Sequence, residues 1–320
     1  MPIPVEEIDC VLCGSQAFKI EAIGLDYVYG TSEDQFTFVR CSSCGHLYLN
    51  PRPIAEAVSI IYPSSYATFS GRFTGGALIS RVKSWVILSR FRYLKTDLLA
   101  GSCLLDIGCG DGQFLMSLRE RYPEADLHGL DWNFTESTRR ILESKRITLL
   151  NGLVEQVDLG VERYDVITMN QIVEHLWQPD IVMDKCFRAL RPGGVIAVET
   201  PNADGYDRYL FRNGVWGSYY FPRHLHLFTF RSLSHFLAKH GFIVERQDHL
   251  LSPICWVYTM TALARRRGLH CGMIRWFFRD TNVAALALFT VIDLLFARSW
   301  GRTTSNQKAI ARKPLHISRT

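Results

Sequence analysis

An α/β fold on a mostly parallel sheet is predicted for this chain of 320 residues. Three observations predict it. From residue 102 onward, short apolar runs alternate with segments of helical spacing. A glycine-rich turn, Gly108-Cys109-Gly110-Asp111-Gly112, follows the first apolar run. An acidic residue, Asp131, closes the second. Two pairs of cysteines precede this rhythm, and a long helical stretch interrupts it near the end.

Taken in order, residues 1–50 hold the paired cysteines and read as a small zinc ribbon-like module. Residues 51–100 open on the turn Asn50-Pro51-Arg52-Pro53 and continue as a helical connector broken by Gly71, Gly75 and Gly76. The core is expected over 101–202. Its strands fall at 103–107, 126–130, 146–150, 164–169 and 195–199. Its helices fall at 113–121, 135–143 and 180–190, the last stopped by Arg191-Pro192-Gly193-Gly194. Residues 203–320 supply an aromatic loop, a helix at 232–240, a strand at 242–245, a helical insert and a closing strand at 307–311. Such βαβα alternation at short spacing calls for helices on both faces of a parallel sheet.

Composition excludes disordered and fibrous classes: 48% of residues are hydrophobic and 21% charged. The net charge of +5 is too mild to argue for nucleic acid. It is unevenly spread, because residues 251–320 carry 11 Lys/Arg against Asp280 and Asp293. That basic end suits a phosphorylated substrate, a membrane surface or RNA, or is a solvated face. The longest apolar run, 283–297, would span roughly 22 Å as a helix against a hydrocarbon core of roughly 30 Å. A buried helix is expected there, with peripheral membrane contact as the other reading. The N-terminus has neither a basic nor an apolar leader segment, so a cytoplasmic protein with reduced cysteines is expected.

Cys10-Val11-Leu12-Cys13-Gly14 and Cys41-Ser42-Ser43-Cys44-Gly45 are two CxxC turns with 27 residues between them. Each turn aims two thiolates to one side, and the glycine after each pair permits the tight bend. Cys10, Cys13, Cys41 and Cys44 are therefore assigned to one tetrahedral Zn2+. Four thiolates close the coordination shell, so the site is structural, and His46 stands outside it.

The glycine turn lies between a strand and a helix, where a backbone passes close to a ligand. Its spacing is GxGxG, and Asp131 follows Gly112 by 19 positions at the end of the next strand. A carboxylate there can accept both hydroxyls of a ribose, which predicts an adenosine-containing ligand at the switch point of the sheet.

Asp106-Ile107-Gly108-Cys109-Gly110-Asp111-Gly112 resembles the first motif of class I S-adenosylmethionine-dependent methyltransferases. Leu130-Asp131 resembles the acidic motif after the second strand. Tyr164-Asp165-Val166-Ile167-Thr168-Met169-Asn170 resembles the fourth-strand motif, and Leu190-Arg191-Pro192-Gly193-Gly194 the motif before the fifth strand. The resemblance implies a Rossmann-like seven-stranded sheet with the last strand antiparallel. It implies that Asp106, Gly108, Gly110 and Gly112 line the methionine and ribose side of S-adenosylmethionine. Asp131 would take the ribose hydroxyls, Leu153 and Val154 would flank the adenine, and Asn170 and Gln171 would meet the methionine moiety.

The zinc module, then Tyr62-Pro63-Ser64-Ser65-Tyr66, then this core and a His-rich segment resemble bacterial sugar C-methyltransferases and their polysaccharide-linked relatives. Those enzymes use a Glu-His pair as catalytic base. His224 matches the His, while Arg223 stands in the place of the Glu, so the sequence shows His224 without its carboxylate partner. His titrates near neutral pH and suits proton uptake from an acceptor. His224 and His175 are the candidate bases. His226 alternates with His224 on an extended segment, so at most one of the two faces the cofactor. Tyr62 and Tyr66 either close over the substrate or pack the connector. Trp216, Tyr219 and Tyr220 lie in a loop where sugar rings or an acyl chain could stack, or else they belong to the core. The expected activity is methyl transfer to a small-molecule or saccharide acceptor, nucleotide- or lipid-linked. Two alternatives stand: an rRNA or tRNA methyltransferase with a zinc module, and a non-catalytic S-adenosylmethionine-binding protein. Residues 1–50 argue against RNA, having only Lys19 and Arg40 as cations against seven acidic residues.

Overall fold

The computed structural model describes residues 2–63, 101–269, 271–279, 282–300 and 303–315. Most of the expected helical connector, with Tyr66, lies outside the described residues. The N-terminal layer contains β1 (Val5–Glu6), β2 (Phe18–Gly24), β3 (Phe36–Cys41), β4 (Leu47–Leu49) and β5 (Arg52–Pro53). Strands β2, β3 and β4 form an antiparallel meander, and β1 pairs with β5. Strand β3 is buried on both faces: Phe36 and Phe38 join one apolar cluster, Val39 and Cys41 another.

The second part begins with β6 (Cys103–Ile107), β7 (Asp126–Asp131), β8 (Ile147–Asn151), β9 (Tyr164–Asn170) and β10 (Leu190–Pro201). It closes with β11 (His226–Leu227), β12 (Ile243–Leu250) and β13 (Asn306–Arg312). Seven of these make one sheet in the order β12-β13-β10-β9-β6-β7-β8. The five strands from β10 to β8 are parallel, and β13 runs antiparallel between β10 and β12. This is the predicted seven-stranded sheet with an antiparallel last strand. All five residues of β6 are buried, the mark of a parallel strand covered on both faces.

Each crossover helix follows from its spacing. Helix Gln113–Arg121 buries Phe114, Leu115 and Leu118 on one side, and full burial of each Leu contributes roughly 1.5–3 kcal/mol. Thr135 caps helix Glu136–Ser144 by accepting from the Thr138 N–H, and Thr229 with Ser232 forms a reciprocal cap on helix Phe230–Lys239. The helix predicted to run through Leu190 ends instead at Ala189. Leu190 pairs with Tyr164 and starts β10, and a bulge between Leu190 and Val195 absorbs the Pro-Gly-Gly run.

The C-terminal insert consists of helices Pro253–Arg266, Gly272–Phe277 and Val283–Trp300. Ala285 and Phe289 of the last pack against Tyr206, Trp256 and Val257. Asp293, the charge inside the apolar run, is buried and accepts from the Tyr206 hydroxyl (3.0 Å), the Trp256 indole (2.8 Å) and the Ser252 N–H (2.6 Å). Its burial docks this helix on the domain. Among the described residues, no helix is long and apolar enough to cross a membrane.

The two parts share structure. Strand β11, far along the chain, adds to β4 with His226 opposite Tyr48 and Leu227 opposite Leu47, completing a four-stranded sheet. Arg52 donates to the Trp177 carbonyl at 2.7 Å, and the Trp177 indole donates back to the Pro53 carbonyl at 2.9 Å. Cys10, Val39 and Tyr48 sit in the same apolar cluster as Leu105 and Ile167 of the large sheet. The N-terminal layer is thereby a wall of the domain.

Candidate active site

Strands β6 to β9 leave their carboxyl ends along one edge, and the chain crosses from β8 to β9 around β6. An open parallel sheet places its ligand crevice at such a switch point. A cleft of about 360 Å³ lies there. Its strand-end half is lined by Gly108, Asp131, Trp132, Leu153, Val154, Asn170 and Gln171, and its far half by Tyr62, His175, Ser218, Tyr220, His224 and Tyr258.

Of the residues singled out in the sequence, Gly108, Asp131, Leu153, Val154, Asn170, Gln171, His175 and His224 face this cleft. Asp106, Gly110 and Gly112 are not on its lining and act behind it. Asp106 is buried and accepts from the Thr168 hydroxyl (2.6 Å) and the Asn170 amide (3.2 Å). Burial pushes its carboxyl up to about 7, partly countered by Thr168. The Asn170 amide is thus turned so that Oδ1 is buried without a partner. Gly110 donates its N–H to Asp131 Oδ2 at 2.9 Å, and Asn133 donates to Oδ1 at 3.1 Å. Asp131 lines the cleft, and a carboxylate has more acceptor sites than these two N–H groups fill.

Gly108 has φ +73, and a Cβ there would meet Ile172 Cδ1 at 2.0 Å. Gly112 has φ +76, and its Cβ would strike Leu142 at 2.3 Å. Gly108 lets the turn pass against the β9 loop, whereas Gly112 lets helix Gln113–Arg121 start against helix Glu136–Ser144. Gln171 is held at φ +57, a strained setting for a residue with a side chain, by its N–H to the Glu199 carbonyl (2.8 Å) and its amide to Asn306 (3.0 Å).

Lys185 was not evident in the sequence as part of this site. Its Nζ donates to the carbonyls of Val154 (3.1 Å), Glu155 (2.7 Å) and Val157 (2.9 Å). It pins the loop after β8 that walls the cleft. Trp132 is a second missed wall residue, and only its position next to Asp131 could have signalled it.

At the far half, several expectations change. Tyr62 faces the cleft, and its hydroxyl lies 2.9 Å from His175 Nδ1. Trp216 and Tyr219 are buried core residues, not a stacking platform: the Trp216 indole donates to Asp207 and Ser305, and Tyr219 packs on Phe38. Tyr220 alone of that trio reaches the cleft. His226 turns away beneath His46 and contacts the Leu176 carbonyl at 3.1 Å.

Arg223, in the place of the expected Glu, is wholly buried and forms two hydrogen bonds to Asp26, at 3.0 and 2.9 Å. A carboxyl group from another segment lies close to His224. Glu174 is buried in the turn after β9, and it forms one group with His175 and His224, one ligand atom of each lying within 4.8 Å of the others. Burial pushes Glu174 up to about 8 and His175 down to about 4, and carries His224 well below its ordinary value. Burial disfavours the charged imidazolium at both rings. Sequence distance hid this group, since Glu174 and His224 are brought together by the pairing of Leu225 N–H with the Glu174 carbonyl at 2.7 Å.

The four cysteines converge as predicted. Cys10 and Cys44 Sγ are 3.5 Å apart, as are Cys13 and Cys41. A tetrahedron with metal–sulfur bonds of about 2.3 Å has edges of about 3.8 Å, so the sulfur spacing fits Zn2+. Gly14 and Gly45 sit at φ +69 and +77, where each knuckle turns. Cys41 is held down to about 6: burial opposes this, and the N–H groups of Cys44 and Ser43 outweigh it. His46 is buried with neither ring nitrogen partnered and is not part of the group.

Comparison with known proteins agrees with this geometry. The sequence profile described as "Methyltransferase domain" matches residues 86–247. The chain belongs to the methyltransferase domain family. A Mycolicibacterium smegmatis protein named a probable S-adenosylmethionine-dependent methyltransferase is 32% identical over 106 residues, covering 32% of this chain and 39% of that protein. A ubiquinone biosynthesis O-methyltransferase of Psychrobacter cryohalolentis is 33% identical over 121 residues, covering 35% of this chain and 46% of that enzyme. This chain thus matches under half the length of these two relatives. The solved structure of Haemonchus contortus phosphoethanolamine N-methyltransferase 2 with S-adenosyl-L-methionine superposes with a TM-score of 0.51 at 16% identity. That match covers 93% of this chain and 69% of the other and concerns the fold alone.

Proposed function

We propose that this methyltransferase domain binds S-adenosylmethionine in the strand-end half of the cleft and methylates a small-molecule acceptor held in the far half. One observation carries the reading: a single cleft joins the β6–β9 loop ends to the His175–His224 pair. The residues fit the cofactor. The unpartnered Asn170 Oδ1 offers an acceptor for an ammonium group, and the remaining lone pairs of Asp131 offer acceptors for ribose hydroxyls. Leu153 and Val154, on the loop braced by Lys185, supply an apolar wall for a base. The cofactor, when bound, supplies a methyl group activated by a sulfonium.

His224, with His175 beside it, is the group proposed to activate the acceptor. The names of the relatives, among them a ubiquinone biosynthesis O-methyltransferase, favour an oxygen acceptor. A saccharide is the finer reading, supported by Tyr62, Tyr220 and Tyr258 around the far half, and the basic C-terminal part would suit a phosphate on it. The paired cysteines are proposed to hold one structural Zn2+.

Calorimetric titration with S-adenosylmethionine and S-adenosylhomocysteine, with NAD as control, tests the cofactor. Micromolar binding of the first two and none of NAD is expected, and absence of binding by folded protein overturns the reading. Asp131→Ala should weaken that binding at least about tenfold, since a hydrogen bond to a charged group contributes roughly 1.5–3 kcal/mol. Once an acceptor is found, His224→Ala should lower kcat by about 10²-fold or more while cofactor affinity is retained. Wild-type turnover in that variant removes His224 from the chemistry.

A further inference from the structure

The Glu174, His175 and His224 group does not behave as three ordinary core residues. His224 Nδ1 lies 2.7 Å from the Ser218 carbonyl and His175 Nδ1 lies 2.9 Å from the Arg223 carbonyl. A carbonyl can only accept, so Nδ1 of His224 carries the hydrogen and its Nε2 presents a bare lone pair. His175 Nδ1 stands between the Arg223 carbonyl and the Tyr62 hydroxyl, and with its hydrogen directed at the carbonyl its Nε2 is the acceptor as well. Metal-ligating histidines are fixed in this way, by the outer nitrogen donating to a backbone carbonyl. Glu174 Oε2 accepts from the Thr200 hydroxyl at 2.8 Å, while Oε1 is buried with no hydrogen-bond partner from another residue. An unpartnered buried carboxylate oxygen is costly, and a cation removes that cost.

We infer that Glu174, His175 and His224 bind a divalent first-row cation at the acceptor end of the cleft, leaving coordination positions open toward the substrate. The donor set of two imidazoles and one carboxylate suits Mn2+, Fe2+, Co2+ or Zn2+, and it differs from the closed four-sulfur shell of the cysteine site. The inference rests on the proposed function only for what the cation would do. There it would hold an acceptor oxygen and lower the pKa of its hydroxyl, whose proton would leave to water; His224 would then act on the acceptor as a ligand of the cation and not by taking that proton itself. A second histidine group, Cys103, Asp126 and His128, is spoken for internally. Asp126 Oδ2 already takes the His128 Nε2 contact at 3.1 Å and the Cys103 thiol at 3.5 Å.

The test uses the full chain with its cysteine site first filled with one equivalent of Zn2+. Titration with Co2+ should then reveal a second equivalent, with d–d absorption and no thiolate-to-cobalt charge-transfer band. Glu174→Gln and His224→Ala should each weaken that equivalent at least about tenfold, and His128→Ala should leave it unchanged. Circular dichroism and S-adenosylmethionine affinity report whether each variant is folded. Should Glu174→Gln fail to fold, His224→Ala carries the test alone. No second equivalent in folded wild-type protein, or equal affinity in the Glu174 and His224 variants, overturns the inference. Cofactor binding without cation binding would sink this inference alone, and cation binding without cofactor binding would sink the proposed function instead.

Discussion

Cys10→Ser or Cys41→Ser, or removal of zinc by a strong chelator, is expected to unfasten the whole N-terminal layer. The free energy at stake is large, because structural Zn2+ contributes about 10–16 kcal/mol in small zinc peptides at neutral pH. Here the layer is also held by apolar contacts to the large sheet, so the observable is not complete unfolding. The knuckles flank β2 and β3, and β4 carries β11 on its edge. His224 lies two residues before β11. Loss of the metal should therefore reach the acceptor end while sparing the strand-end half, which β6–β9 build without the cysteines. Hydrogen exchange should show faster exchange across 5–53 and 220–228, with S-adenosylmethionine affinity falling much less than turnover. Metal analysis showing no zinc in well-folded protein, with normal protection of these segments, would refute the four-cysteine site.

Asp26→Asn should destabilise the protein by roughly 3–5 kcal/mol, because it leaves Arg223 charged and buried without its counter-ion. Both side chains are 0% exposed. The guanidinium also lies over Tyr29 at 4.5 Å and Tyr220 at 5.3 Å, so Arg223 is enclosed on its faces as well. Burial alone would raise the Asp26 carboxyl. The bonds and charge of Arg223, with the Thr31 donors, outweigh it and hold the carboxyl below the usual range. A depressed folded-state pKa contributes stability that is present above the unfolded value of about 3.9 and disappears as the pH falls through the folded value. Wild-type stability should therefore drop below about pH 4, and the Asp26→Asn variant should lose that part of the acid dependence. Chemical denaturation of both proteins at about pH 7 and about pH 3 measures this. A difference under about 1 kcal/mol at pH 7 would show the pair to be dispensable. The double replacement Asp26→Leu with Arg223→Met should recover much of the loss, since a buried ion pair replaced by apolar groups of similar volume is often neutral.

The two predictions concern the same loop. Arg223 ties it to Asp26 in the N-terminal layer, β11 ties it to β4, and Ser218 fixes the His224 ring. The N-terminal layer with the four cysteines thus holds the loop that carries His224. This also accounts for Arg223 in the place of the expected Glu. The residue at 223 anchors the loop, and Glu174 brings a buried carboxyl group close to His224.

Legible in the residues themselves are the alternating strands and helices, the glycine turn, the acidic strand end and the paired cysteines, whereas the seven-stranded sheet with its antiparallel closing strand came from the resemblance to class I methyltransferases. The former are legible because they are local. Period-two and period-3.6 patterns, a CxxC turn, and a glycine where φ must be positive each depend on a few neighbouring residues. The tertiary structure alone decided which site residues face the cleft. Asp106 and Gly112 carry the right motif but act from behind the wall, because burial depth at a strand end is set by what packs above it. It alone joined Glu174 to His224 and Asp26 to Arg223, pairs 50 and 197 positions apart. It alone moved Trp216 and Tyr219 into the core. Contacts made by chain segments that meet only after the sheet closes leave no periodic mark in the sequence, so partner choice for buried charges was invisible until the fold supplied it.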